Sequence, residues 1–565
     1  MKRAVGWPPW AAAGPPAGFS TDWKDGAPFL RGPRRRAQCG LVLSVGVVLV
    51  VAAAGFAQQR PVQVAGVVRS AVTGEGLAHA TVALSSLGSE PKSGGATTGA
   101  DGTFGISGLP PGQYRLTIRK SGYQPFQATA PVTIRPDSAE TTRVTESLWP
   151  HGAIAGRVVD WEGEPIAGAE ILAYAVVYQA AGAALSLATR GESDDSGDYR
   201  LFGLPAGKYV LQVSPPRAAT PAGQFYADAT AVYYPSAPQP SQALPVDLNW
   251  GQDASRTDVK LSRGQTYAIA GAVRDASAEG PCMRCQVQVM QHDGPYRVPL
   301  PQTARVTRQG GFVLRGLSPG DYTIVARQGG SKDAVAQEPV SIRNRPVQDA
   351  RLTVGLQQAV TGEIVLEKPP EGISATDWTP SLLPVALPEW WPGAEGEVRA
   401  DRQFTIAGVS PGRYRLEMNG LAAGAYLKAL RAGGQALANS EIVISQEAGV
   451  SGLEAVVAFD GATLTGRVRS GSSDNGQVQA GVFLIPQPNQ TGSQFPKTAE
   501  TTPDGSFSLG SVVPGSYTLY ALPANTTVQI FDPAVQAALA RYARQFKLGP
   551  QETVTAEISL TPHHR

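Results

Sequence analysis

One motif recurs five times along this 565-residue chain. Each copy has an aromatic residue followed ten positions later by a tyrosine. The pairs are Phe104 and Tyr114, Tyr199 and Tyr209, Phe312 and Tyr322, Phe404 and Tyr414, and Phe507 and Tyr517. Because a repeated motif marks a repeated structural unit, the chain is predicted to fold as a series of similar modules.

Hydrophobic and polar residues alternate on both sides of each motif. In the first copy the hydrophobic positions are Phe104 and Ile106, then Tyr114, Leu116 and Ile118. A period of two is typical of β-strands with one buried face. A glycine stands two positions before every tyrosine and follows proline in all copies but the second. This pair predicts a type II turn in which the glycine has a positive φ.

A further strand is predicted upstream of each motif. These opening strands share a glycine followed two positions later by a hydrophobic residue, as in Gly66-Val67-Val68, Gly156-Arg157-Val158, Gly271-Ala272-Val273, Gly362-Glu363-Ile364 and Gly466-Arg467-Val468. The 64 Gly and 46 Pro residues, with only 17% charged residues, indicate many turns and few long helices. We therefore expect an all-β chain, a tandem array of about five antiparallel β-sandwich modules.

The order of these segments resembles the carboxypeptidase regulatory-like domain. The resemblance lies in the opening glycine strand, in GEPIAGAEILA of the second copy and in DGTFGISGLPPGQYRLTI of the first. It implies a transthyretin-like, seven-stranded sandwich related to Cna B-type and carbohydrate-binding-like folds, as in exported bacterial proteins. Copies three and four depart from the pattern, since Gln309-Gly310 replaces Asp-Gly and the second strand is poor.

The repeats predict the following division of the chain. Residues 1–57 are a signal peptide or N-terminal anchor, 58–148 the first sandwich, 149–264 the second with a Tyr/Pro-rich loop, 265–356 the third, 357–460 the fourth with a Trp/Pro-rich insertion, and 461–565 the fifth with a C-terminal helix. The helix is predicted from Pro533 to Leu548, because Asp532 can cap its start and Gly549 can end it. Its apolar face is expected to pack on the last sandwich or to dock a partner.

The N-terminal segment favours export. A basic stretch that includes Arg34, Arg35 and Arg36 precedes an uncharged run from Gly40 to Ala57, which ends in small residues suited to signal peptidase. The alternative is an uncleaved membrane anchor, since this run is at the lower limit for spanning a bilayer. Without residues 1–57 the chain has 41 basic and 44 acidic residues, so no electrostatic surface for nucleic acid is expected.

Sequence motifs for catalysis are weak. Zinc peptidases need convergent His and Glu ligands, and none of the five histidines lies in an HExxH motif. Ser318 and Ser410 match the GxSxG pattern, but Pro110 and Pro205 occupy the equivalent positions in other copies, so these serines are interpreted as turn residues. The acidic turn around Asp194 and Asp195 is likewise interpreted as a turn and not as a calcium site. We expect no enzyme, no cofactor and no metal site.

Two local features remain as candidate sites. Trp378, Trp390 and Trp391 lie in a Pro-rich insertion and are candidates for stacking on sugar rings, with burial against the sandwich as the alternative. Cys282 and Cys285 form a lone CxxC, for which a local disulfide is expected in an oxidising compartment, with free thiols or metal and redox chemistry as alternatives.

These features predict a non-catalytic binding or structural protein. It is expected to be exported, to the periplasm, the cell surface or the medium, and to bind a glycan or a protein partner. Membrane contact would come only through a retained N-terminal segment. The alternative is an accessory subunit of an exported peptidase or of a TonB-dependent transport system, because domains of the resembled family accompany such proteins.

Overall fold

The computed structural model describes residues 62–88, 92–128, 131–135, 141–179, 182–216, 229–278, 280–294, 296–329, 334–385, 390–469, 480–487, 496–502, 504–523 and 529–561. The described residues belong to one compact unit, Val62–Arg565. The predicted signal segment lies outside the described residues. Within the described ranges, no helix combines the length and apolar composition needed to cross a bilayer.

The described strands of Val62–Arg565 fall into five groups, here called modules 1 to 5. Module 1 contains β1 (Val62–Ser70), β2 (Thr81–Ser86), β3 (Ser93–Thr97), β4 (Thr103–Ser107), β5 (Gly112–Arg119), β6 (Phe126–Gln127), β7 (Val132–Ile134) and β8 (Thr142–Leu148). One sheet has the order β4-β1-β8, and the other has β3-β2-β5 with β6 and β7 along β5. Val68 and Phe104 from the first sheet share one core with Leu84 and Tyr114 from the second.

Module 2 has more described strands than any other module. Its strands are β9 (Gly152–Val159), β10 (Glu170–Gln179), β11 (Gly182–Glu192), β12 (Asp198–Leu204), β13 (Gly207–Ser214), β14 (Ala229–Thr230), β15 (Val232–Tyr233), β16 (Val246–Leu248), β17 (Asp253–Ala254), β18 (Val259–Lys260) and β19 (Ser262–Arg263). β12-β9-β17 form one sheet, with β18 also on β9, and β11-β10-β13 form the other with β15 and β16. A 3₁₀ turn covers Pro240–Gln242.

Module 3 repeats the two-sheet plan with a short second strand. Its strands are β20 (Tyr267–Asp275), β21 (Gly280–Pro281), β22 (Cys285–Asp293), β23 (Tyr296–Arg305), β24 (Gly311–Leu317), β25 (Gly320–Gln328), β26 (Val335–Ile342) and β27 (Val347–Val354). β21-β20-β24 and β27 form one sheet, and β23-β22-β25-β26 form the other. The motif residues Phe312 and Tyr322 lie in the shared core.

Module 4 contains the tryptophan insertion. Its strands are β28 (Gln358–Glu367), β29 (Thr379–Pro384), β30 (Ala394–Glu395), β31 (Glu397–Val398), β32 (Gln403–Val409), β33 (Gly412–Asn419), β34 (Tyr426–Ala432), β35 (Gln435–Ala436), β36 (Glu441–Ile444) and β37 (Val450–Ala458). The sheets have the orders β31-β32-β28-β37-β34-β35 and β30-β29-β33-β36. A 3₁₀ turn covers Ala438–Ser440.

Module 5 completes the described chain. Its strands are β38 (Ala462–Arg469), β39 (Ala480–Pro486), β40 (Lys497–Glu500), β41 (Ser506–Val512), β42 (Gly515–Pro523), β43 (Arg544–Leu548) and β44 (Thr553–Ser559). β41-β38-β44 face β40-β39-β42-β43 across a core that includes Phe507 and Tyr517. The all-β sandwich architecture predicted from the repeats is thereby confirmed.

The strand directions differ from a purely antiparallel plan. In modules 1, 3, 4 and 5 the opening strand is antiparallel to the motif strand on one side and parallel to the last strand on the other, as for β38 between β41 and β44. In module 2 the short strands β17 and β18 take the parallel position beside β9. The chain crosses to the opposite sheet and returns, so the last strand enters the first sheet in the same direction as the opening strand.

The predicted type II turn at the Pro-Gly pair is wrong, since among its glycines only Gly112 has a positive φ, and that angle of 155° is far from the value of about +80° that the turn requires. Glycines with a left-handed φ lie instead four residues after the first aromatic, at Gly108, Gly203, Gly316 and Gly408, and Ser511 takes this place in module 5. In modules 2 to 5 the motif strand has one extra residue at this point relative to the opening strand, whereas in module 1 the register shift lies on β1, between Val62 and Val64. One type of β-bulge has a residue with left-handed φ, which glycine adopts without a Cβ clash.

Each motif tyrosine is fixed by its hydroxyl as well as its ring. The hydroxyl donates to the carbonyl oxygen four residues upstream, on the turn that precedes the strand, with distances of 2.8 Å for Tyr114, 2.7 Å for Tyr209, 2.6 Å for Tyr322, 2.9 Å for Tyr414 and 2.6 Å for Tyr517. A buried phenol needs such a partner. The repeated tyrosine therefore joins the core to the turn in every module.

The C-terminal helix is shorter than predicted. The α-helix α1 covers Pro533–Leu539, capped by Asp532, whose side chain accepts a hydrogen bond from the amide of Ala534 at 2.8 Å. A 3₁₀ turn follows at Ala540–Tyr542, and the rest of the predicted helix is strand β43. β43 pairs with β42 as β7 pairs with β5 in module 1, so the need to complete the sheet overrides helical periodicity.

Candidate functional site

The tryptophans of the insertion lie in or against the core of module 4. Trp378 is 4% exposed and Trp391 is 3% exposed, whereas Trp390 is half-buried. The Trp391 indole N–H donates to the Tyr414 hydroxyl at 2.8 Å, and that hydroxyl donates to the Ser410 carbonyl. Trp378 and Trp391 therefore present no ring face for stacking on a sugar, which corrects the ligand-binding interpretation and agrees with the alternative of burial.

Trp390 has a partner from another module. The Arg327 guanidinium of β25 lies 5.1 Å from the centroid of its ring, in cation–π geometry. The ring also packs at 6.1 Å and 38° against Trp391. Trp390 is thus placed at a contact between modules 3 and 4, where its accessible surface is limited.

The structure joins Cys282 and Cys285 in a disulfide, with an S–S distance of 1.93 Å and a Cα–Cα distance of 5.7 Å. Both residues are buried in the core of module 3. The bridge closes the turn between β21 and β22. Its position among hydrophobic side chains favours a structural role over exchange with external thiols.

The polar residues considered for catalysis and metal binding form hydrogen bonds within the turns. The Ser318 and Ser410 carbonyls accept the hydroxyls of their motif tyrosines. In the acidic turn, Asp194 Oδ1 accepts from the amides of Ser196 and Asp198 at 2.9 Å. The described ranges contain no group of three or more His, Cys, Asp or Glu side chains placed to hold a metal ion.

An interface with buried polar groups joins modules 2 and 3. Its apolar part includes Leu172, Tyr174 and Tyr233 from module 2 and Val298 from module 3. The Tyr174 hydroxyl donates to the Pro299 carbonyl at 2.8 Å. The Tyr/Pro-rich loop of module 2 lies at this interface and contributes Tyr233 to it.

Glutamine side chains extend this interface into a network. The Tyr233 hydroxyl donates to Gln291 Oε1 at 2.8 Å and accepts from Gln212 Nε2 at 2.9 Å. Gln291 Nε2 then donates to Gln239 Oε1 at 2.9 Å. Burial raises the pKa of Tyr174 and Tyr233, so both phenols stay protonated and act as donors. Each named donor of the network has an acceptor.

A cleft of about 360 Å³ lies where module 1 meets module 2. We call it the junction cleft; it is lined by Ser121, Gly122, His151, Gly152, Ala153, Arg200, Phe202, Gly203 and Asp253. Phe202 on β12 and Asp253 on β17 both pair with Ala153 of the central strand β9. The small Ala153 therefore separates an aromatic ring from a carboxylate across the sheet. Arg200 Nη2 bonds both oxygens of Asp253, at 2.8 and 2.9 Å.

The opposite wall of the junction cleft is held by backbone hydrogen bonds. The His151 amide donates to the Gly122 carbonyl, and the Gln124 amide donates to the Trp149 carbonyl, each at 2.8 Å. The His151 ring lies 3.2 Å from Gln124 Oε1, measured from Nε2. These bonds tie the segment between the modules to a turn of module 1, so the wall has a defined position.

The junction cleft was missed from the sequence, although the repeat contains a signal for it. The position three residues after the first aromatic lies on the exposed face of its strand and is occupied by Ser107, Phe202, Arg315, Ala407 and Gly510. Phe202 is the one aromatic in this series, and its side chain is 77% exposed. Arg200 and Asp253 give no comparable signal, because exposed charged residues are ordinary.

Two-sheet modules in series, each with an aromatic core, define the chain as a tandem β-sandwich protein. Residues 63–146 and 153–262, which lie in modules 1 and 2, match the family model of the carboxypeptidase regulatory-like domain. The resemblance stated from the motifs is thereby confirmed. No curated protein matches the chain.

Solved structures of bacterial proteins show partial likeness. A streptococcal ancillary pilin is 12% identical, with 52% of this chain and 98% of that chain covered and a TM-score of 0.17. The minor pilin GBS52 of Streptococcus agalactiae is 18% identical, with coverages of 36% and 96% and a TM-score of 0.22. The Bacillus anthracis TIE protein is 8% identical, with coverages of 70% and 68% and a TM-score of 0.16. Superpositions this loose say nothing about the function of this chain.

Proposed function

We propose that this chain is an exported, non-catalytic protein of the periplasm or cell surface. Its modules form a scaffold of fixed arrangement that binds a glycan or a protein. The observation behind the proposal is the hydrogen-bonded interface between modules 2 and 3. Flexible linkers leave neighbouring domains free to move, whereas a packed interface with hydrogen bonds across it fixes them. The match of modules 1 and 2 to an accessory domain family supports a non-catalytic role.

The energetics of this interface favour a fixed arrangement. Separating the modules would expose Leu172 and Val298 to water and break the bonds that Tyr174 and Tyr233 make to module 3. Each hydrogen bond across the interface contributes only about 0.5–1.5 kcal/mol net, because water replaces the partner once the modules separate. The two tyrosine bonds and the apolar contact therefore act together to favour the closed interface.

Removing both interfacial hydroxyls should loosen this interface. For the variant Tyr174→Phe with Tyr233→Phe we expect amide exchange in β10 and β23 to rise at least about tenfold, since a loss of about 1.4 kcal/mol corresponds to a factor of ten. Hydrogen exchange followed by mass spectrometry measures this. Tyr267→Phe is the matched control, because the Tyr267 hydroxyl bonds Gln265 within module 3 and at the surface.

Unchanged exchange in the double variant would contradict the scaffold proposal, because the modules would then not depend on the interfacial bonds. A rise confined to β10 and β23, with the control unchanged, would support it.

Export can be tested separately. The proposal predicts that the mature chain begins at or near Gln58, because Gly55-Phe56-Ala57 offers a signal-peptidase site after the apolar run. Intact-mass measurement of protein from the periplasmic or extracellular fraction checks this. A cytoplasmic protein that retains residues 1–57 would contradict export.

A further inference from the structure

We propose that the junction cleft binds a neutral oligosaccharide, with a sugar ring stacked on Phe202 and its hydroxyls bound by Arg200 and Asp253. The inference rests on the proposed binding role and names a ligand class and a site for it. It moves the aromatic stacking residue from the insertion of module 4 to the edge of module 2.

Phe202, unlike the buried Trp378 and Trp391, has an exposed ring. It alternates with the buried residues Tyr199, Leu201 and Leu204 on β12 and projects on the solvent face. With 77% of its surface exposed, the ring gains little from packing in the folded chain. A single exposed hydrophobic residue is ordinary on a protein surface, but this one borders a cleft that polar groups also line.

The polar groups match the chemistry of sugar hydroxyls. A hydroxyl both donates and accepts, so neighbouring hydroxyls are best met by donors and acceptors side by side. Arg200 and Asp253 provide such a combination, held together through Nη2 of the guanidinium. They lie beside Phe202 on the same sheet, because Asp253 and Phe202 flank Ala153 in register. An aromatic face and a planar polar pair therefore border one surface.

The charge of the junction cleft favours an uncharged ligand. The carboxylate of Asp253 balances the guanidinium of Arg200 in an ion pair at 2.8 Å. Burial lowers the pKa of His151, so its imidazole is neutral at pH 7. With no excess positive charge, the site lacks the attraction that a phosphate or an acidic sugar needs.

The volume of the junction cleft and the fixed backbone of its wall also suit an oligosaccharide. A volume of about 360 Å³ is within the usual range of roughly 300–1,000 Å³ for small-molecule sites. Its wall at Gly122 and His151 is fixed by the backbone bond between them. A preformed surface loses little entropy on binding, which favours recognition of a ligand as flexible as an oligosaccharide.

The test uses the mature full-length chain and calorimetric titration with cellohexaose, maltohexaose and xylohexaose, and with hexagalacturonate as the acidic comparison. We expect at least one neutral hexaose to bind the unaltered chain. Phe202→Ala should raise the Kd of that hexaose roughly tenfold or more, because the sugar ring loses its stacking partner. Val443→Ala is the matched control, since Val443 is 66% exposed and lies in module 4. Asp253→Asn should also weaken binding.

The outcomes separate this inference from the proposed function. Neutral binding that Phe202→Ala leaves unchanged would overturn the site. A failure of all three neutral hexaoses, or preference for hexagalacturonate, would overturn the ligand class. Neither result alters the exchange experiment on modules 2 and 3, which tests the scaffold. Loss of neutral binding with Phe202→Ala but not with Val443→Ala would support the proposal.

Discussion

Replacing Gly466 by alanine should destabilise module 5 by about 3 kcal/mol or more, because no relaxation of a side chain can make room for the new methyl group. Gly466 lies on β38 between β41 and β44, opposite Phe507 and Ala556. An added Cβ would overlap the Ala556 carbonyl oxygen and lie 2.7 Å from Phe507 Cζ. Thermal unfolding followed by circular dichroism should show an early transition, and hydrogen exchange should assign it to module 5.

Gly510→Ala is the matched control in the same module. An added Cβ at Gly510 meets no heavy atom within 4 Å, and its φ is not in the left-handed region. This substitution should leave stability unchanged or raise it slightly, since alanine restricts the unfolded chain. Equal effects of the two substitutions would contradict the steric explanation. Gly66, Gly156, Gly271 and Gly362 face the same overlap with a neighbouring carbonyl, which explains the glycine in every opening strand.

Trp391→Ala should destabilise module 4 by about 3–5 kcal/mol, the range for removing a large buried aromatic side chain. The ring is 3% exposed and packs within the cluster that holds Phe404 and Tyr414. The substitution also removes the donor to the Tyr414 hydroxyl. Denaturant unfolding with hydrogen exchange on β32 and β33 measures the loss.

Trp391→Phe separates volume from hydrogen bonding. It keeps an aromatic ring and loses the indole N–H, so a smaller loss is expected than for alanine. Phe202→Ala provides a second comparison, because an exposed ring should contribute little to stability. If Trp391→Ala melts no earlier than Phe202→Ala, the indole is not a core group and its assignment to stacking would be open again.

Much of the fold follows from local spacing. The positions of Phe104 and Tyr114 and their equivalents indicate strands with one buried face, since alternation places every second side chain on the same side of a strand. Their burial in all five modules follows from that pattern. The opening glycines were recognised from the sequence as markers of a strand, but the overlap that requires glycine involves Ala556 and Phe507, which are distant in the chain.

Prediction from residue spacing along the chain fails where a strand pairs with a segment that is distant in sequence. The residues from Arg544 to Leu548 have a helical pattern, yet β42 needs an edge partner and takes them as β43. The sequence predicts the turn glycine at Gly207, whereas the left-handed residue is Gly203, at a bulge that depends on pairing with β9. In both cases pairing between strands decides the backbone, and pairing is not visible in a single segment.

The sequence by itself determined the number and kind of modules, because a hydrophobic period and a repeat are properties of the chain alone. Whether a particular aromatic ring is exposed depends on the residues that surround it in space, so only the tertiary structure decided it. Trp391 and Phe202 are both aromatic residues outside the repeated pattern, yet one is covered by module 4 and the other faces the junction cleft. The difference arises because burial depends on which strands and modules meet at each side chain.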